Sequence, residues 1–354
     1  MKRRVLAALC GLGMAMGAQA QDATAPQPGC AWTLLHPVKG EATGAWGFAD
    51  VDRSIAIDAQ TQFNLASLSK QFTALAVLLL AEDGRLELDQ PLARYWPDLP
   101  GELGRPTVRQ VLQHRGGLPD YIEPLYQAGR EAQTVTVAET LAVLEATPSL
   151  RFAPGEHFEY SNTGYFLLAQ LVERLSGASL ATFSQQYIFS PLGMERTAIV
   201  DRYPAALPQM ARGYRVKDGQ AQRVESTWEQ TGDGQVHSSA ADIGRWLEHL
   251  EKDTVLISPE GRPLPGVRTM LTQSHPLTPT GNYQFGLEAL QVGALAVWGH
   301  GGGWAGYHSF MAYSPERRQG AAVMCNAIHL DVRSMTQRLL ESGVGQLAPV
   351  PYRP

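Results

Sequence analysis

The most constraining stretch is Thr73-Ala-Leu-Ala-Val-Leu-Leu-Leu-Ala-Glu-Asp-Gly84. Ala and Leu favour a helix here, and Gly84 is placed to close it in a left-handed C′ position. Such a helix is too apolar to sit on a surface, so the rest of the fold must wrap it. Directly before it comes Phe63-Asn-Leu-Ala-Ser67-Leu-Ser-Lys70-Gln-Phe72. Ser67 falls at or near the helix start, and Lys70 lies one turn later on the same face. An amine at i+3 can accept the hydroxyl proton, and the positive helix end favours the alkoxide that forms. The plainer reading makes Ser67 an N-cap and Lys70 a solvated first-turn residue. Burial of the helix favours the chemical reading. A lysine in its first turn is partly desolvated, which lowers its pKa and costs stability unless the amine is used.

The N-terminus reads as an export signal. Lys2-Arg3-Arg4 is a basic leader, Val5 to Gly17 an apolar core, and Ala18-Gln19-Ala20 a cleavage site. The apolar run is short for a bilayer span, so an uncleaved anchor ranks lower. Cleavage after Ala20 leaves 334 of 354 residues and moves the formal charge from −5 to −8, with three cations removed. That length fits one large or two interleaved domains. A mildly acidic chain without a Lys/Arg run has no visible claim on nucleic acid or anionic membrane. The nine histidines form no H-E-x-x-H or close cluster, so neither metal nor cofactor is expected.

After a loose leader, Cys30 to His36 and Thr43 to Val51 read as strands joined by a turn at Val38-Lys39-Gly40. From Leu86 to about Leu207 the periodicity is helical, with helices over Thr107–His114, Val137–Ala146, Thr163–Ser176 and Leu180–Phe189. Strands resume after Gly213. Ser239-Ala-Ala-Asp242 opens a helix to Leu250, four strands lie between Phe285 and Asn326, and Asp331 to Ser342 reads as a terminal helix. The expected class is α/β (α+β) with two domains. Residues 21–85 and 213–345 build an antiparallel sheet from both chain ends, flanked by helices, and residues 86–212 form an inserted helical domain. The site would lie between them.

Two further stretches carry chemistry. In Pro154-Gly-Glu-His-Phe-Glu-Tyr160-Ser161-Asn162-Thr-Gly, a local reading makes Ser161 or Asn162 an N-cap and Tyr160 a hydrophobic staple. The functional reading presents the Tyr160 hydroxyl to Ser67 and the Asn162 amide to substrate. Gly299-His300-Gly301-Gly302-Gly303-Trp304 ends a strand. A similar run forms the oxyanion loop of α/β-hydrolases, but those need a later G-x-S-x-G elbow, which this chain lacks. Either it is a glycine-rich bulge or an edge strand that lets a substrate backbone approach closely.

Taken together, Ser67-x-x-Lys70, Tyr160-Ser161-Asn162 and His300-Gly301-Gly302 resemble the serine β-lactamase and D-alanyl-D-alanine peptidase superfamily. The Tyr-x-Asn element looks like its class C branch, with family VIII esterases and D-aminopeptidases. Spacings of 93 and 140 residues require a fold to reunite the three. Gly84-Arg-Leu-Glu-Leu-Asp-Gln-Pro, Val111-Leu-Gln-His114, Pro154-Gly155 and Ser238-Ser-Ala-Ala-Asp242 are also similar to the family pattern. The resemblance implies that Ser67 forms an acyl-enzyme, with Lys70 and Tyr160 sharing the proton work. A tyrosine base needs a nearby cation, and Lys70 is the obvious one. It further implies an oxyanion site between the N–H groups of Ser67 and Gly303, and an Asn162 that orients the acyl group. Two departures stand out. His114-Arg115-Gly116 replaces the usual His-Thr-Ser, and His-Gly-Gly replaces Lys-Thr-Gly, which removes a fixed cation and a hydroxyl. Arg115 would restore the cation if it pointed into the cleft.

If the first and last strands pair antiparallel, as in relatives, Cys30 meets Cys325. Two separate buried thiols are the alternative. The expected function is an exported serine hydrolase acting on esters or D-amino-acid peptides, without a stable membrane span. A class C-like β-lactamase, a penicillin-binding sensor without turnover, and a structural envelope protein are the competitors.

Overall fold

A computed structural model of the chain describes residues 26–203, 207, 209–272, 283–343, 347 and 349–350. The expected signal sequence, with its cleavage site at Ala20, lies outside the described residues. Its centre is a seven-stranded antiparallel sheet built from both chain ends. We label these strands β1 (Cys30–His36), β2 (Gly40–Trp46), β3 (Tyr283–Gln284), β4 (Leu287–Val292), β5 (Leu295–Trp304), β6 (Tyr307–Ser314) and β7 (Gln319–Cys325). The order across the sheet is β3-β4-β5-β6-β7-β1-β2. The terminal strands meet in the middle, where β1 pairs with β7 and Cys30 stands opposite Cys325. The two cysteines are joined by a disulfide.

Four helices frame the site: α1 (Lys70–Glu82), α2 (Asn162–Ser176), α3 (Ala240–Lys252) and α4 (Val332–Ser342). Every residue of α1 from Lys70 to Leu80 is buried, as its all-round apolar sequence requires. One continuous core packs Leu75 and Leu79 of α1 against Phe166 and Leu167 of α2 and Trp246 and Leu247 of α3. Each such side chain contributes roughly 1.5–3 kcal/mol by leaving water. On the other sheet face, Trp32, Phe310 and Val323 pack with Met335 and Leu339 of α4. The middle of the chain is mostly helical and lends no strand to the large sheet.

Three local readings change. The expected Thr43–Val51 strand is two strands, ending at Trp46 and resuming at Phe48. The expected helix Leu180–Phe189 is α-helical only to Ser184 and finishes as a π-helical turn. The glycine-rich strand β5 is not a simple edge. Leu295 to Val297 pair with β4, Trp298 and Gly299 with both β4 and β6, and from His300 to Trp304 only β6 pairs with it among the described residues. No helix among the described residues is long and apolar enough to cross a membrane.

Candidate active site

Ser67 is delivered by a strained approach. The short strand Phe63–Asn64 pairs with Val236–Ser238, then turns sharply into a 3₁₀ turn, Ala66–Ser69, that runs on into α1. Ala66 adopts φ +49°, a left-handed conformation that costs an L-residue of order 1–3 kcal/mol. Its N–H donates to Asn64 Oδ1 at 2.8 Å, which holds the turn closed. The Ser309 hydroxyl of β6 donates to the Leu65 carbonyl at 2.7 Å and ties the approach to the sheet. Ser67 itself is half-buried.

Lys70 is fully buried. Its Nζ donates to Ser67 Oγ at 3.1 Å, to Asn162 Oδ1 at 2.9 Å and to the Asp233 carbonyl at 2.8 Å. An ammonium has three donors, and all three are used. Burial lowers its pKa from 10.5 to about 8, while the carboxylates of Asp233 and Asp120 pull the other way. The amine is therefore mostly protonated at neutral pH, yet within one unit of giving up its proton.

Tyr160 places its ring 4.8 Å from Lys70 Nζ. Its buried hydroxyl has no partner in hydrogen-bond geometry, although Ser67 is near enough to exert a lowering influence. The sequence-based expectation that Lys70 would bring down the Tyr160 pKa does not hold in this geometry. Burial dominates and pushes it well above 10, so the hydroxyl is neutral. His114 stacks on Tyr160 with ring centroids 4.2 Å apart.

Asn162 is the first residue of α2, and Ser161 is its N-cap. The Asn162 side chain turns its oxygen to Lys70 and donates its amide to Asp120 Oδ2 at 3.0 Å. The same carboxylate oxygen accepts the Asn162 backbone N–H at 2.8 Å. The Asn162 side chain thus holds the lysine while also lining the cavity in front of Ser67.

The glycine run divides. His300 is buried. Its Nδ1–H donates to the Gly301 carbonyl at 2.5 Å, and its Nε2 accepts from the Tyr283 hydroxyl at 3.0 Å. Burial, with Lys70 nearby, pushes its pKa down to about 3, so the ring is neutral. Gly302 packs against the Leu65 carbonyl behind Ser67. A cavity of about 300 Å³ opens in front of Ser67, and of the run only Gly303 lines it, with Asn162, Asp233, Trp228 and Trp304 around it. Rings of Tyr126, Trp228 and Trp304 stand 5.1–6.2 Å apart and form an aromatic wall. No Lys, Arg or His is among the described residues lining the cavity. Arg115 does not supply a cation there, because its guanidinium donates to the Gly155 carbonyl at 2.7 Å.

Asp120, Tyr121 and Asp233 escaped the sequence reading. Thr231-Gly-Asp-Gly234 has the composition of an ordinary turn, and nothing local distinguishes Asp233 from a solvated loop aspartate.

The Beta-lactamase family model matches residues 18–343. Penicillin-binding protein 4* of Bacillus subtilis (strain 168) is 30% identical over 80% of this chain and 64% of its own. D-aminopeptidase of Gluconobacter oxydans (strain 621H) is 28% identical over 93% of this chain and 60% of its own. The chain thus spans about three fifths of the length of these curated relatives. Among solved structures, D-amino acid amidase from Ochrobactrum anthropi SV3 complexed with L-phenylalanine superposes with a TM-score of 0.72 and 25% identity. That match covers 89% of this chain and 92% of the amidase. Ser67 and Asn162 line one cavity and are both bonded to the Lys70 amine beneath it; by the family match, the chain belongs to the Beta-lactamase family.

Proposed function

We propose that this chain is an exported serine hydrolase that works through a Ser67 acyl-enzyme on esters or on amides and peptides of D-amino acids. The observation that carries the reading is the buried Lys70 amine, 3.1 Å from Ser67 Oγ and close to its deprotonation point. Lys70, once neutral, takes the Ser67 proton as the oxygen attacks the substrate carbonyl. The backbone N–H groups of Ser67 and Gly303 face the developing oxyanion. The neutral Tyr160 hydroxyl carries a proton to the leaving group, and water then releases the acyl group with the same residues in reverse roles. Export is supported by the leader sequence and by the Cys30–Cys325 disulfide, which persists in oxidising compartments.

The substrate class follows from what the cavity lacks. A β-lactam carries a carboxylate that must be held while its ring opens. With His300 neutral and bonded to Tyr283, Arg115 occupied and no cation among the described residues lining the cavity, that carboxylate has no charged partner among them. One lost charge-assisted hydrogen bond costs roughly 1.5–3 kcal/mol, or about ten- to a hundredfold in rate. The aromatic wall suits an uncharged, apolar acyl group. The D-aminopeptidase and D-amino acid amidase matches support the D-amino-acid reading. The test compares kcat/KM for nitrocefin, a p-nitrophenyl acyl ester, a D-aminoacyl amide and a D-Ala-D-Ala peptide on one preparation. The ester or a D-residue substrate should lead; nitrocefin ahead by tenfold or more would make the protein a β-lactamase.

A further inference from the structure

Asp233 lies outside all three sequence motifs, yet it approaches Lys70 more closely than any motif residue. Its backbone carbonyl accepts from Nζ at 2.8 Å, shorter than the bonds to Asn162 and Ser67. Its carboxyl is almost wholly buried, at 8% residue exposure. Oδ2 accepts the Tyr121 hydroxyl at 2.7 Å, and Oδ1 is buried with no hydrogen-bond partner. A half-satisfied carboxylate away from water is costly unless a cation shares its surroundings. Lys70 is the cation that acts on it, and Asp120 is the anion.

The loop is built for this placement. Gly232 has φ +98°, and a Cβ there would fall on the Tyr165 carbonyl oxygen of α2. The Thr73 hydroxyl of α1 donates to the Gly232 carbonyl at 2.8 Å. The residue before Asp233 is thus clamped between the two helices that carry Lys70 and Asn162. Two arms then converge on the amine. Asp120 aligns Asn162, which accepts from Nζ; Tyr121 aligns Asp233, whose carbonyl accepts from Nζ and whose carboxylate supplies the counter-charge.

We propose that Asp233 is a positioning residue for Lys70: the buried counter-charge that seats its amine on Ser67 and sets the pH at which that amine can take the Ser67 proton. The proposal rests on the reading of Lys70 as the base. The other groups facing the amine are Asp120, His114, His300, Tyr160 and Tyr165. Burial pushes both imidazoles down, His300 to about 3, and both phenols up, so these four move away from neutrality. Lys70, at about 8, and Asp233, raised by burial to about 6, are brought toward neutrality instead. An opposite charge raises a lysine pKa, so removing it lowers the pKa and frees the amine at lower pH.

The test is the pH dependence of kcat/KM for a p-nitrophenyl ester on the full-length protein. Asp233→Asn keeps an acceptor for Tyr121 and removes the charge. Its acid limb should move down by about 1–3 pH units, the range for one nearby opposite charge. Activity at pH 6 relative to pH 9 should therefore rise about tenfold or more. A merely structural role would lower activity at every pH and leave the limb in place. Tyr121→Phe removes the hydroxyl that favours ionised Asp233 and should move the limb the same way by less. It decides the matter if Asp233→Asn does not fold. A limb near pH 8 in the unchanged protein that neither substitution moves overturns the role of Asp233 alone. No such limb in the unchanged protein overturns the base reading with it.

Discussion

Gly302→Ala tests how rigidly the fold backs Ser67, the proposed nucleophile. A Cβ at position 302 would fall on the Leu65 carbonyl oxygen, 2.7 Å from Ser309 Oγ and 3.1 Å from the Ala66 Cβ. Leu65 and Ala66 are the two residues before Ser67, and Ala66 is already held at φ +49°. The methyl must therefore displace backbone, not the end of a flexible side chain. Overpacking of this kind costs about 1–3 kcal/mol. The Ser309–Leu65 hydrogen bond stands in the way and its loss adds roughly 0.5–1.5 kcal/mol. The sum is about 1.5–4.5 kcal/mol of stability. The motion passes to Ser67 through its own backbone, and a shift of about 1 Å costs on the order of a hundredfold in rate. Gly303→Ala is the matched control. The nearest atom to its Cβ is His308 Cδ2 at 3.9 Å, an ordinary contact, so stability should change by less than about 0.5 kcal/mol. Urea unfolding and the rate of Ser67 acylation by a p-nitrophenyl ester, measured on both variants, give the answer. Equal stability of the two variants would refute the argument that Gly302 is the spacer behind Ser67.

Tyr160→Phe should lose about 10²–10⁴ in turnover while keeping full stability, because the buried hydroxyl it removes has no hydrogen-bond partner. A loss of several kcal/mol in the urea midpoint would mean that the hydroxyl is a structural group instead. Cys325→Ala should cost about 2–4 kcal/mol in reversible unfolding, since Cys30–Cys325 closes a loop spanning 295 residues. Mass analysis of the natively exported, unreduced protein after alkylation should find no free thiol at either position; two labelled cysteines would contradict the bond.

The legible parts of the sequence were those where local pattern and chemistry coincide. The unbroken apolar run of Thr73 to Leu80 could only be a wrapped helix, so Ser67 and Lys70 were placed at its head before any fold was known. Ser239-Ala-Ala-Asp242 announced a helix start, and in the structure Ser239 is the N-cap that accepts the Asp242 N–H. Alternation and turn residues located six of the seven strands of the sheet to within a few positions, while the short Tyr283–Gln284 strand was not read and the Phe285 strand begins only at Leu287. What stayed hidden depends on distant neighbours. Asp233 is tied to Lys70 across 163 positions, and its neighbourhood reads as a turn. The His300 ring is buried and accepts the Tyr283 hydroxyl, a contact between strands whose register no single segment encodes. The division of the glycine run, with Gly302 behind the nucleophile and Gly303 in front, likewise follows from strand alternation seen only once β5 is in place.

The central claim is that Ser67 is the acylated residue. Intact mass after mixing with a p-nitrophenyl ester and with a fluorescent penicillin, followed over time and mapped by peptide digestion, tests it directly. The account predicts a transient acyl adduct from the ester on the peptide carrying Ser67, none in a folded Ser67→Ala variant, and slower or absent labelling by the penicillin. An adduct on any other residue, or undiminished ester turnover in Ser67→Ala, would contradict it.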